Sequence, residues 1–207
     1  MNARGTTYHQ VLDAAEQLFG DRGYSEVSIV AICEASGVPV GSIYHHFKNK
    51  AGILRAVLER GVGDFFDALP RPDDLTGSAR ERMNAHYTTS ADLIVANLSL
   101  FRLIASVQLH STPADTELQQ LLRQISDGGS EIMAQFIESV AIELGIDDAA
   151  HYARKIAPLN LVFLNGMVIT AGSVDIDIHT GIRVYLQNFI LSSILAHAQA
   201  QALMSSH

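Results

Sequence analysis

A short run of small, polar and aromatic residues near the amino terminus carries the side chains best suited to binding chemistry. Hydroxyl, phenol, imidazole and ammonium groups lie close together here, interspersed with small apolar residues. The residues of this run are Val40, Gly41, Ser42, Tyr44, His45, His46 and Lys50. Such groups bond to phosphates and base edges, and glycine lets a backbone approach its ligand closely. A helix fits the major groove of B-DNA, and its first turn reaches the bases. The run therefore predicts contact with double-stranded DNA.

Two simpler interpretations of the same residues stay open at this point. A Tyr-His-His run on a helix is often only a solvated face. Val40 can instead complete an inner apolar stripe with Ile43 and Phe47. The prediction of a DNA contact therefore depends on the whole arrangement rather than on any single residue.

The elements that must position these side chains are two short helices joined by a tight turn. Ser28 is a suitable N-cap, because its hydroxyl accepts a bond from a free amide of the first helix. Gly37 ends that helix, since glycine adopts the left-handed backbone of a sharp turn. Pro39 opens the second helix, where its missing N–H costs nothing. We interpret residues 28–50 as a helix-turn-helix motif.

The segment from Val11 to Glu59 resembles the DNA-binding domain of the TetR family of bacterial transcriptional regulators. The matching residues, in order, are Ala15, Leu18, Phe19, Gly23, Tyr24, Ile32, Gly37, Val38, Gly41, Tyr44, His46, Phe47, Lys50 and Leu54. Small residues depart from the family pattern at Cys33, Ser36 and Pro39. The resemblance implies that DNA is touched by Ser28, Val40, Gly41, Ser42, Tyr44, His45, His46 and Lys50, with Ser28 at a phosphate.

Composition and charge fit this interpretation and limit it. The chain has 207 residues, 48% of them hydrophobic and 17% charged, which favours a compact globular protein over a disordered one. The formal net charge is −8. Residues 1–60 carry six basic and six acidic side chains, so the acidic excess lies wholly in residues 61–207, with eight basic and sixteen acidic. The basic surface for DNA is thin, and we expect specificity to rely on a dimer.

Helical periodicity continues along the whole chain and predicts an all-α protein of about nine helices. The first is expected from about Thr7 to Arg22, a long one starts at Pro113, and the last is expected over about 179–200. We expect an N-terminal three-helix helix-turn-helix domain over residues 1–50 and a connecting helix over 51–69. A C-terminal helical bundle for ligand binding and dimerisation is expected over 70–207. The boundary is the loop that begins at Pro70 and contains two prolines and a glycine.

The last two predicted helices, about 148–171 and 179–200, carry more apolar surface than one bundle face needs. In the family that the sequence resembles, the last pair of helices forms a four-helix dimer interface. We therefore expect a homodimer through these helices and a near-palindromic operator. A thick monomeric core is the alternative.

A small-molecule pocket inside the C-terminal bundle is also implied by the resemblance. The candidate lining is mostly apolar with a few polar groups: Tyr87, Phe101, Ile104, His110, Met133, Phe136, Asn160 and Phe163. Such a wall fits an apolar or amphipathic effector. Each apolar member has ordinary core packing as its alternative role.

Other chemistries find little support in the sequence. Asp175, Asp177 and His179 alternate like metal ligands, but a loop with a helix N-cap explains them better. No catalytic triad order and no phosphate-binding glycine loop is present. We predict no enzyme activity, no cofactor and no metal. The single Cys33, and the lack of a signal peptide or a membrane-spanning run, lead us to expect a cytoplasmic protein without a membrane partner.

The sequence thus predicts a ligand-responsive transcriptional regulator, most simply a repressor released from its operator by an apolar or amphipathic small molecule. The alternative is a helical-bundle module that binds small molecules or proteins and carries a vestigial DNA-binding domain. Its support is the thin basic charge.

Overall fold

The computed structural model of the chain describes residues 3–110, 116–171, 173, 175 and 177–205. Nine helices lie in these ranges, which confirms the all-α class. They are α1 (Ala3–Arg22), α2 (Ile29–Ser36), α3 (Val40–Phe47), α4 (Lys50–Ala68), α5 (Ala79–Ala96), α6 (Leu98–His110), α7 (Thr116–Glu143), α8 (Ala149–Thr170) and α9, a continuous run of Ile178–Thr180, Gly181–Leu186 and Gln187–Ser205.

Several helix boundaries differ from those the sequence pattern predicts. Helix α1 begins at Ala3 rather than at about Thr7, and α9 extends to Ser205. Its segment Gly181–Leu186 is a π-helix, which apolar periodicity does not reveal. The predicted start of the long helix at Pro113 lies outside the described residues.

The chain divides into two compact units. The first comprises the residues up to Phe65 together with Leu98–Arg123, and the second comprises Phe66–Asn97 with the residues from Gln124 onward. Helix α6 thus groups with the helix-turn-helix. The functional boundary at residue 70, with everything beyond it in the effector bundle, stays a prediction.

A continuous apolar core holds the first unit together. Its fully buried side chains recur at helical spacing on α1 and α4, and they include Val11, Leu12, Ala15, Phe19, Ile53, Leu54, Val57 and Leu58. Helix α6 joins this unit through Phe101, whose ring lies edge-on to Phe65 at 4.9 Å between centroids. On the polar side, Arg60 of α4 bonds Asp13 and Glu16 of α1 at 2.7 and 2.6 Å.

The second unit is built around apolar faces of α5, α7, α8 and α9. Helix starts are fixed by side-chain caps, as the sequence chemistry requires. Ser78 and Glu81 form a reciprocal capping box on α5. Asp148 accepts from the His151 amide at 3.2 Å and begins α8. Helix α7 runs on through Gly128 and Gly129, where the Phe66 ring lies against the helix.

Among the described residues, no single helix combines the length and apolar composition needed to cross a membrane. Helices α5 and α6 reach that length and composition only when they are counted together across the bend between them.

Candidate functional site

Helices α2 and α3 form the predicted helix-turn-helix, and each end is fixed by local chemistry. The Ser28 side chain accepts from the Ala31 amide at 3.1 Å and caps α2. Gly37 closes α2 with a left-handed φ of 67°, and its amide donates to the Cys33 carbonyl at 3.0 Å. Pro39 lies at the N-cap of α3, one position earlier than a first-turn proline, and its carbonyl accepts from Ser42.

One face of α3 is anchored in the core and the other is open. Ile43 and Phe47 are buried, as the spacing predicts. Val40 and Tyr44 are 44% and 51% exposed, so Val40 does not complete the inner stripe. Gly41 and His45 are also exposed, whereas Ser42 and His46 are half-buried. The outer face is thus a row of small, hydroxylic and aromatic groups, which is the surface that the sequence predicts for contact with DNA.

Tyr8 braces the end of α3, a role that we did not predict from the sequence. Its ring stacks on Phe47 at 4.9 Å and lies edge-on to His46 at 6.1 Å. The sequence contains a pattern that indicates an inward-facing Tyr8, because Tyr8 precedes Val11 by three residues and Leu12 by four and so continues the apolar stripe of α1. Tyr8 therefore fixes the orientation of the reading helix and of the His46 imidazole.

A tight turn joins α3 to α4. Lys48 has φ 64° and ψ −49°, and the Asn49 amide donates to the Phe47 carbonyl at 2.7 Å, which defines a γ-turn of the less common hand. The Asn49 side chain then accepts from the Gly52 amide at 2.8 Å and starts α4. A Cβ at Gly52 would collide with the Phe47 carbonyl oxygen, so this turn requires glycine there.

Lys50 has a different environment from the other predicted DNA contacts. Its ammonium group donates to the carbonyls of Tyr24, Ser25 and Val27 at 2.9, 3.2 and 2.9 Å. It also lies over the Tyr24 ring, 4.4 Å from the centroid. All three donors of the ammonium group are used by the loop that precedes Ser28. Contact between Lys50 and a phosphate stays a prediction, and the structure shows this side chain as a clamp on the α1–α2 loop.

Positive charge near the reading helix is scarce. Arg55 is paired with Glu59 at 2.7 Å, and Arg60 is paired with two carboxylates of α1. Among the described basic side chains of α1–α4, Arg22 and Lys48 are exposed and outside these pairs. The structure therefore agrees with the thin basic surface that the sequence predicts.

The predicted effector residues fall into separate places. Four of them lie together in the second unit, and we call them the Tyr87 cluster: Tyr87, Met133, Phe136 and Asn160. The Tyr87 hydroxyl is buried, donates to Asn160 Oδ1 at 2.8 Å and lies 3.7 Å from the Met133 sulfur. Burial raises the pKa of Tyr87 well above its usual range, so the phenol stays protonated.

The other four predicted effector residues are not part of the Tyr87 cluster. Phe101, Ile104 and His110 belong to the first unit, and His110 is exposed. Phe163 is 42% exposed on α8 and packs against Phe189 of α9, with ring centroids 4.7 Å apart. Their role in effector binding stays a prediction.

The alternating acidic residues before α9 have a clear structural role. Asp177 accepts from the Thr180 amide at 2.9 Å and caps the helix, as the sequence predicts. The His179 ring bonds Asp92 at 3.0 Å. These contacts explain both residues without a metal.

Comparison with known proteins agrees with this geometry. Residues 11–57 match the family model described as bacterial regulatory proteins, tetR family. The fatty acid metabolism regulator protein of Bacillus subtilis is 26% identical over 151 residues, which cover 71% of this chain and 76% of that protein. The HTH-type transcriptional activator FasR of Mycolicibacterium smegmatis is 27% identical over 72% of this chain and 64% of its own length.

Solved structures share the fold of most of this chain. The fatty acid degradation regulator FadR of Bacillus halodurans superposes with a TM-score of 0.71 at 19% identity, over 89% of this chain and 94% of that one. These similar proteins are all named as regulators. Residues 11–57 therefore carry the DNA-binding domain of the TetR family, and the chain as a whole is similar to bacterial transcriptional regulators of that family.

Proposed function

We propose that this regulator acts as a homodimeric repressor that leaves a near-palindromic operator when it binds a small amphipathic effector. The observation that carries the DNA-binding part is the α3 surface. Val40, Gly41 and Tyr44 face solvent there, while Ile43 and Phe47 anchor the same helix in the core. A helix anchored on one side and open on the other can enter the major groove as a rigid unit.

The proposed dimer uses the exposed apolar face of α8 and α9. Large apolar side chains remain open to solvent on these two helices: Leu159, Val162, Phe163, Ile169, Tyr185 and Phe189. Gly166 of α8 is exposed, and nothing lies within 4 Å of the position that its Cβ would occupy, so a second helix can approach closely. A second copy of this chain is the occupant that we propose, because a two-fold axis places the same apolar face on both sides.

The effector that we propose is a fatty-acyl compound. Two of the similar proteins are named as regulators of fatty acid metabolism or degradation. The Tyr87 cluster is apolar except for one hydroxyl and one amide, which suits an acyl chain with a single polar group. Effector binding would favour a conformation of the dimer with lower operator affinity, by a shift between two populated states.

Selection of bound duplexes from a randomised DNA pool tests this proposal. We expect enrichment of one near-palindromic site, with affinity lost in Tyr44→Ala and reduced by long-chain acyl thioesters. An enriched site whose affinity does not respond to acyl compounds would reject the effector class and keep the regulator. A pool with no enriched site would instead favour the binding-module alternative, to which the scarce positive charge points.

A further inference from the structure

A surface groove runs beside helix α7 in the second unit, and we call it the α7 groove. It is bounded by Phe66 and Asp67 at the end of α4, by the loop of residues 69–73, and by the face of α7 that carries Ile132, Glu138 and Ile142. Its volume is about 600 Å³, a size that suits a small organic molecule. It shares no lining residue with the Tyr87 cluster.

The walls of the α7 groove are held in shape by local structure. The Arg71 amide donates to the Asp74 carboxylate at 3.0 Å, and the Leu75 amide donates to the Pro72 carbonyl at 3.3 Å. Pro70 and Pro72 further restrict the backbone of this loop. On the other side, α7 is one continuous helix. A ligand therefore loses little free energy to ordering these walls.

Part of the groove lining is apolar and open to solvent. Ile142 is 62% exposed, and Phe66, Leu69 and Ile132 are half-buried. Apolar surface in a concave site gains free energy when an apolar group displaces water from it. The groove thus favours a ligand with an apolar body.

The charged part of the lining favours a cation. Asp67, Asp73 and Glu138 bring three carboxylates, whereas Arg71 is the one basic side chain among the lining residues. None of the three carboxylates forms an ion pair within the part of the chain that the structure describes. A concave site lined by one sign of charge concentrates the potential and attracts the opposite sign. The same charges oppose the binding of an anion.

We propose that the α7 groove binds a small organic cation with an apolar body, such as an alkyl quaternary ammonium compound. Asp67, Asp73 and Glu138 compensate the positive charge, while the apolar body packs against Phe66 and Ile142. This is a second ligand site. It is independent of the proposed acyl effector, whose polar group would be neutral or anionic.

Calorimetric titration of the full-length protein, without DNA, tests the site. The matched probes are octyltrimethylammonium and octyldimethylamine N-oxide, which has the same alkyl chain and no net charge at pH 7. We expect one bound cation per chain and an affinity for the cation at least roughly fivefold higher than for the N-oxide. The factor follows from exposed ion pairs, each of which changes affinity by about 1.4- to 5-fold.

Two groove variants and one control locate the binding. A triple variant with Asp67→Asn, Asp73→Asn and Glu138→Gln should bind the cation at least about fivefold more weakly, at the level of the N-oxide. Ile142→Lys adds a positive charge at an exposed position of the lining and should abolish cation binding. Leu109→Lys, at a 65% exposed apolar position on α6 outside the groove, should bind like the wild type.

Three results would overturn the proposal. They are no saturable binding of the cation, equal affinity of the wild type for the cation and the N-oxide, and wild-type cation affinity in both groove variants. The substituted side chains are exposed or half-buried and lie outside the core, so the variants should remain folded, which thermal unfolding checks. The assay contains neither DNA nor an acyl compound, so its outcome does not depend on finding an operator or an acyl effector.

Discussion

At the scale of single residues, substitution of Gly41 should affect the stability of the fold and the affinity for DNA in opposite directions. Nothing lies within 4 Å of the position that its Cβ would occupy, and its φ is not in the left-handed region. Gly41→Ala should therefore stabilise the free protein by up to about 1 kcal/mol, the usual helix preference for alanine. Operator affinity should fall, because the added methyl group lies on the face that approaches the bases.

The matched control for this prediction is Gly63→Ala on α4. Gly63 is also exposed, helical and free of neighbours within 4 Å. It should gain similar stability without any change in operator affinity. Thermal unfolding and fluorescence anisotropy measure the two effects. Unchanged operator binding in Gly41→Ala would show that this part of α3 does not approach DNA closely.

Lys50 poses a choice between two roles that salt dependence can distinguish. As a clamp on three carbonyls, it should contribute to stability without adding to the number of phosphates neutralised. Lys50→Met should then lower the unfolding free energy by about 1–3 kcal/mol and weaken operator binding, with the salt slope unchanged. Lys48→Ala, at an exposed position beside α3, should reduce that slope by roughly 0.9. A slope reduced in Lys50→Met by as much as in Lys48→Ala would assign Lys50 to a phosphate.

The buried His86 ring predicts how stability responds to acid. The folded-state pKa of about 4 lies below the ordinary value of 6.5, so the unfolded chain takes up the proton first as pH falls. Stability is therefore complete above pH 6.5 and decreases down to about pH 4, by roughly 3 kcal/mol from this group. Urea unfolding at several pH values should show this decrease in wild type and a smaller one in His86→Phe. The same pH dependence in both proteins would contradict the prediction.

At the scale of elements, the Ser28 hydroxyl at the start of α2 has one observed role, as a helix cap, and one predicted role, as a phosphate contact. Ser28 caps the helix through the Ala31 amide, and the family resemblance predicts that it also meets a phosphate. Ser28→Ala should cost about 1 kcal/mol of stability and also weaken operator binding. Ser28→Asp should keep the cap, because aspartate is an equally good N-cap, but its charge repels phosphate. Operator binding by Ser28→Asp at the wild-type level would exclude a phosphate contact here.

Sequence reasoning succeeded for the elements where local chemistry alone determines structure. The Ser28 cap, the Gly37 turn and the inward spacing of Ile43 and Phe47 all appear as predicted. It did not identify contacts that depend on a residue far away in the sequence. The ammonium group of Lys50 donates to carbonyls about 25 positions earlier in the chain. The periodicity of apolar residues does not predict such a contact. The partial exposure of Phe163 and the grouping of α6 with the first unit also depend on tertiary packing, which the sequence pattern does not show.

At the scale of the whole molecule, the exposed apolar face of α8 and α9 predicts self-association. Phe163 and Phe189 form an exposed aromatic pair, a type of contact that dominates interface energetics. Phe163→Glu should shift the protein from dimer to monomer in analytical ultracentrifugation while it remains folded. Ile142→Glu, at a 62% exposed apolar position on α7, is the matched control and should remain dimeric. A wild-type monomer at micromolar concentration would contradict the proposed dimer.

The central claim is that two copies of α3 read DNA together. A two-fold dimer places its reading helices about one turn of DNA apart, roughly 34–36 Å, so each operator contains two half-sites. The most direct measurement is a titration of the selected operator against a duplex in which one half-site is scrambled, with stoichiometry measured in both. We predict two protomers on the intact operator and affinity weakened at least about a hundredfold on the half-site, since half of the base contacts are lost. One protomer per duplex, bound equally well to both, would contradict the account.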